Sequence, residues 1–89
     1  MKRMKTSFNE MLLNTSPVIQ QEVAIEFAIS NRIYDLMIEK KMTKLQLAQA
    51  LGKQPSEVTK WLSGQHNFTI KTISMLSVFF GENIISVES

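Results

Sequence analysis

Apolar side chains recur along most of this chain at helical rather than strand spacing. From Val23 to Ile38, the positions Val23, Ile25, Phe27, Ala28, Ile29, Ile33, Tyr34, Leu36, Met37 and Ile38 cover more than one stripe of a helix. Ser16 offers a capping hydroxyl ahead of them, and Pro17 suits a first helical position that needs no N–H. The pattern therefore predicts a long helix running to about Lys41, with or without a break. A helix that is apolar on several sides must be covered on several sides, and a second subunit is one source of cover. Upstream, Ser7-Phe8-Asn9-Glu10 has the form of a capping box and opens a short helix to about Leu13.

Thr43-Lys44-Leu45-Gln46 is another capping box, starting a helix that ends near Gly52. Pro55 can begin the next helix, which stops before Gly64. Thr69 caps a further helix, with Ile70, Ile73, Leu76 or Ser77, and Phe80 along one face and Gly81 at its end. The tail Asn83-Ile84-Ile85-Ser86-Val87 is short and β-branched and reads as a strand. Lacking a partner strand, it must pair with another copy, pack on the core as extended chain, or fray. The expected fold is all-α, about five helices with a short C-terminal β-strand. It forms one domain over 1–89: a helical extension (1–31), a core (32–82) and the terminal strand (83–89).

The segment Lys44–Leu62 carries the most information. Two short helices joined by a tight turn pack only if certain positions are small, flexible or apolar. Ala48 stands where the second helix crosses closely. Gly52 stands at the turn, where a positive φ is needed. Leu47, Leu51, Val58, Trp61 and Leu62 supply the apolar contacts beneath, so Trp61 is a core residue rather than a base-stacking platform. This spacing leaves Gln54, Ser56, Glu57, Thr59 and Lys60 exposed on the second helix, a polar face suited to entering the major groove.

Charge strengthens that reading through its distribution rather than its sum. Residues 1–31 carry three basic and three acidic groups and are neutral. Residues 32–71 carry seven basic (Arg32, Lys40, Lys41, Lys44, Lys53, Lys60, Lys71) and three acidic groups (Asp35, Glu39, Glu57), net +4. Residues 72–89 hold only Glu82 and Glu88, which brings the total to +2. Positive potential thus gathers where a polyanion would be met.

Other chemistries find little support. The chain has no cysteine and one histidine, so neither a disulfide framework nor a metal cluster is expected. The acid pairs Glu22/Glu26 and Asp35/Glu39 have no nucleophile or phosphate loop beside them and read as solvated helix faces, not as a catalytic pair. No enzyme activity and no cofactor are expected. Met1-Lys2-Arg3-Met4-Lys5 begins like a signal peptide, but Asn9, Glu10 and Asn14 interrupt the apolar stretch that should follow. No run approaches the roughly 18 apolar residues of a membrane span. A soluble, cytoplasmic protein is expected, with no membrane partner.

The combination Thr43, Leu47-Ala48, Gly52, Val58, Trp61 and Gly64, followed by His66-Asn67-Phe68-Thr69, resembles the Xre-type, lambda-repressor-like helix-turn-helix family. The resemblance is firm over the middle third and looser over Arg32–Ile85. With its additional N-terminal helix and C-terminal strand, the chain is similar to antitoxins of the HigA kind. The resemblance implies a DNA-binding regulator in which Lys44 meets a phosphate. Ser56 and Lys60 would face base edges, with Gln54, Glu57 and Thr59 as weaker contributors. Gln65, His66, Asn67 and the Thr69 helix start would hold a second phosphate patch. Lys44 stands where glutamine is usual and Lys53 where an apolar residue is usual, so both add phosphate attraction. Pro55 shortens the polar reach of the recognition helix.

Double-stranded DNA is therefore the expected partner. A homodimer is expected from the over-apolar helix, from Ile84, Ile85 and Val87 on the tail, and from the need to reach two half-sites. Two alternatives stay open. The helix pair can serve protein contacts, since a fold does not fix a function. The chain can also be an antitoxin that masks a toxin protein through residues 1–31, where Phe8, Leu12, Val18, Ile19 and Phe27 cluster.

Overall fold

The computed structural model describes residues 16–85. It contains α1 (Pro17–Glu39), α2 (Lys44–Leu51), α3 (Pro55–Trp61) and α4 (Ile70–Phe80). The helix expected over residues 7–13 lies outside the described residues, as does Val87.

Helix α1 is a single unbroken element. Its start follows from Ser16, whose Oγ accepts a hydrogen bond from the Val18 N–H at 3.1 Å, and from Pro17 at the first position. Its end is a Schellman closure: Met42 N–H donates to the Met37 carbonyl at 2.9 Å and Lys41 N–H to Ile38 at 3.1 Å. Lys41 sits at the left-handed position of this closure with φ 57°. Helix α2 closes in the same way around Gly52 at φ 69°, with Lys53 N–H bonded to the Ala48 carbonyl at 2.9 Å.

The core is one cluster built from every element. Ile29, Ile33, Leu36 and Met37 come from α1, Leu47 and Ala48 from α2, Val58 and Trp61 from α3, and Leu76 and Phe80 from α4. Ala48 is completely buried, and α2 and α3 pack against each other. The over-apolar long helix divides in two: from Ile29 onward it feeds this core. From Pro17 to Ala28 it stays largely outside, with Val18, Ile19, Val23, Ile25 and Phe27 between 43% and 74% exposed.

Two expectations need correction. Ile70 does not share the buried face of α4; it heads the helix, where no neighbouring element covers it, and is 82% exposed. No strand forms among the described residues, including Asn83–Ile85. Ile84 instead turns into its own protomer's core, 5% exposed. Its N–H donates to Ser77 Oγ at 3.1 Å, and Ser77 Oγ donates in turn to the Ile73 carbonyl at 2.8 Å. Burying Ile84 and bonding its backbone to a side chain removes it from the exposed edge a paired strand requires. Ile85 remains 41% exposed. Beside this turn, Arg32 Nη2 meets Glu82 Oε1 at 3.0 Å.

Candidate nucleic-acid interface

The α2–turn–α3 unit is fixed at each joint by local chemistry. Thr43 Oγ1 accepts from Gln46 N–H at 3.1 Å, while Gln46 Oε1 accepts from Thr43 N–H at 2.9 Å, completing the expected capping box. Lys44 is thereby held, exposed, at the first position of α2. At the turn, Gly52 is required by its φ alone, for a Cβ there would meet nothing within 4 Å. Beneath α3 lie Val58 and Trp61, at 0% and 3% exposure. Trp61 is thus a core residue.

The five candidate base-facing residues divide by their local bonds. Ser56 and Lys60 are exposed and make no side-chain hydrogen bond among the described residues. Thr59 is exposed but donates its hydroxyl to the Pro55 carbonyl at 3.2 Å. Glu57 is half-buried, and its Oε2 accepts from the Gln54 N–H at 3.1 Å, so this carboxylate closes the helix start. Gln54 itself is exposed at the N-cap.

Around α3 the fold assembles a basic rim. Lys53, Lys60 and His66, together with Glu57, Trp61 and Thr72, line a hollow of about 140 Å³. Lysines seven positions apart are brought to one place, against a single carboxylate already committed to a cap. His66 is half-buried and stacks edge-on against Phe68, ring centroids 4.7 Å apart at 88°. Gln65 and Asn67 are exposed beside it. Thr69 Oγ1 accepts from Thr72 N–H at 3.1 Å and donates to Thr72 Oγ1 at 3.0 Å, so its hydroxyl caps α4. Thr72 was not among the sequence candidates; its position three residues after a capping threonine was the available signal.

Ser30 is the other residue that sequence reasoning missed. It is buried, 3% exposed, on α1. Its Oγ donates to the Trp61 carbonyl at 2.6 Å and accepts from the Gly64 N–H at 3.1 Å. One hydroxyl thus ties the end of α3 and the loop after it to the long helix. Gly64 has φ +81°, and a Cβ there would lie 3.0 Å from the Phe27 ring. A polar residue amid Ile29, Ile33 and Leu36 was the signal for Ser30, but its two partners are more than 30 residues away.

The Helix-turn-helix family model matches residues 33–85, more than half of the chain. The chain belongs to the helix-turn-helix family. The match bears out the Xre-type, lambda-repressor-like resemblance and makes this helix-turn-helix protein a DNA-binding regulator by family. The α2–α3 unit and the rim of Lys53, Lys60 and His66 fall inside the matched span, whereas the exposed first half of α1 falls outside it. No curated protein and no solved structure shows a significant match to the chain. Among the described residues no helix is long and apolar enough to cross a membrane, and no group of acidic, histidine or cysteine side chains is placed to hold a metal.

Proposed function

We propose that this helix-turn-helix protein is a sequence-specific transcriptional repressor of the cytoplasm, acting as a homodimer by binding DNA and without catalysis. The observation that carries the reading is the exposed pair Ser56 and Lys60 on α3, above buried Val58 and Trp61 and beside the Lys53–His66 rim. With α3 in the major groove, Lys60 suits the guanine acceptors O6 and N7, while Ser56 discriminates less between bases. Lys44, Lys53, Gln65, His66 and Asn67 flank that helix and serve the phosphates on either side of the groove.

A single short helix gives little specificity, so two copies reading half-sites about 34 Å apart are part of the proposal. The apolar surface of α1 supports dimerisation better than the tail does, because Ile84 is committed to its own core. The same surface favours a second reading. Ile19, Val23 and Phe27 lie outside the span shared with the family and are about half exposed, as an antitoxin's toxin-binding face would be.

Fluorescence anisotropy against the DNA upstream of its own gene, beside a scrambled duplex, tests the proposal. Lys60→Ala should weaken binding by about 1–3 kcal/mol and relax specificity at one base pair, with Ser56→Ala weaker in both respects. If about six phosphates are contacted per dimer, log affinity should fall against log salt with a slope near −5. Equal, weak binding to both duplexes with a slope near zero would refute the proposal and direct attention to a protein partner.

A further inference from the structure

Between the exposed first half of α1 and α4 runs an apolar groove of about 540 Å³. Val18, Ile25 and Ile29 line it from α1, and Phe68, Ile73 and Ile85 complete it from the loop, α4 and the tail. No residue of α2 or α3 takes part, so the groove is separate from the proposed recognition helix. Its α1 wall precedes residue 33 and lies outside the span that the family model matches.

The only charged residues lining the groove, among those described, are Glu22 and Glu26. Glu26 is half-buried, and neither carboxylate has an ion-pair or hydrogen-bond partner among the described residues. Standing one helical turn apart, the two repel each other, and a cation set between them would offset both charges. The same carboxylates disfavour nucleic acid and the anionic surface of a membrane here.

We propose that this groove binds a cationic amphiphile, a small molecule with one apolar body and one ammonium head. The apolar walls would take the body and the Glu22/Glu26 pair the head. Size favours such a ligand: pockets for small organic molecules measure about 300–1,000 Å³ and combine an apolar lining with a few polar groups. A protein partner would use more of α1. Ile19, Val23 and Phe27 are about half exposed on the same half of this helix, yet none of them lines the groove. An anionic head would meet like charge, and a neutral one would leave the two carboxylates unmatched.

Isothermal titration calorimetry of the full chain with decyltrimethylammonium, kept below its micelle concentration, tests the proposal against decanoate as the matched anion. Saturable binding to one site is expected, at least about tenfold tighter for the ammonium than for the carboxylate and weakened by added salt. Glu22→Gln/Glu26→Gln should erase that preference, whereas Val18→Ser/Ile25→Ser should weaken both ligands alike. Circular dichroism of each variant monitors the fold. The titration contains no DNA, so its outcome is independent of whether the protein reads DNA as proposed above. Absence of saturable binding, equal affinity for the two ligands, or a preference that survives Glu22→Gln/Glu26→Gln would overturn the proposal. Ammonium affinity that falls as protein concentration rises would overturn it in favour of an interface between copies.

Discussion

Replacing Ser30 by alanine removes one hydroxyl that serves two distant backbone groups at once. The Trp61 carbonyl loses its 2.6 Å donor and the Gly64 N–H loses its 3.1 Å acceptor, at a site only 3% exposed. A net hydrogen bond contributes about 1 kcal/mol, and a buried group left unpaired costs about 1–3 kcal/mol. The two together give a loss of about 3 kcal/mol. At roughly 4–8 °C per kcal/mol for a domain of this size, the midpoint should fall by at least about 10 °C. Ser63 is a natural control, because its Oγ makes the same pattern of bonds at the surface. It donates to the Lys60 carbonyl at 2.7 Å and accepts from Gln65 N–H at 3.1 Å, but is exposed. Water can replace those bonds, so Ser63→Ala should cost about 0.5 kcal/mol. Urea unfolding followed by circular dichroism, with thermal melts alongside, reads both variants. Losses equal to within about 0.5 kcal/mol would refute the argument that burial, rather than bond count, sets the cost.

Three further substitutions probe the closures and the tail. Lys41→Gly relieves a left-handed lysine whose backbone already makes the Schellman bonds; a gain of about 0.5–1 kcal/mol should appear as a higher urea midpoint at unchanged slope. Gly64→Ala should cost more than Gly52→Ala, since both have positive φ but only at Gly64 does a Cβ meet a ring. A Phe27→Ala background should erase the difference in melting temperature. Glu82→Gln breaks the ion pair with Arg32, whose members are 40% and 39% exposed. It should lower stability by less than about 1 kcal/mol, and by less still in high salt, as denaturant titrations at two ionic strengths would show.

Local signals in the sequence determined where helices start and stop. Ser16-Pro17, the Thr43–Gln46 box, Gly52, Pro55, Thr69 and Gly81 each act within one turn of themselves, and the described helices begin and end beside them. The motif core was legible for the same reason: Leu47 and Ala48 on α2, and Val58 and Trp61 on α3, each mark one face of their own short helix and are all buried. Lys41 shows the limit of such signals, because only the bonds of Met42 and Lys41 back into α1 reveal that a lysine holds a left-handed closure. What tertiary structure decided is where equivalent side chains end up. Two β-branched neighbours, Ile84 and Ile85, read alike as strand, yet one fills the core and the other stays outside, because Ser77 on α4 accepts a hydrogen bond from the Ile84 N–H and holds that residue over the core. Ser30 stands among apolar neighbours in the sequence, but only the fold sets its partners, Trp61 and Gly64, against it. Lys53, Lys60 and His66 share a hollow only because the turn at Gly52 and the loop at Gly64 fold back around α3. Capping and periodicity are short-range and can be read along the chain. Which face meets which partner depends on contacts between residues far apart in sequence, and those exist only once the core has formed.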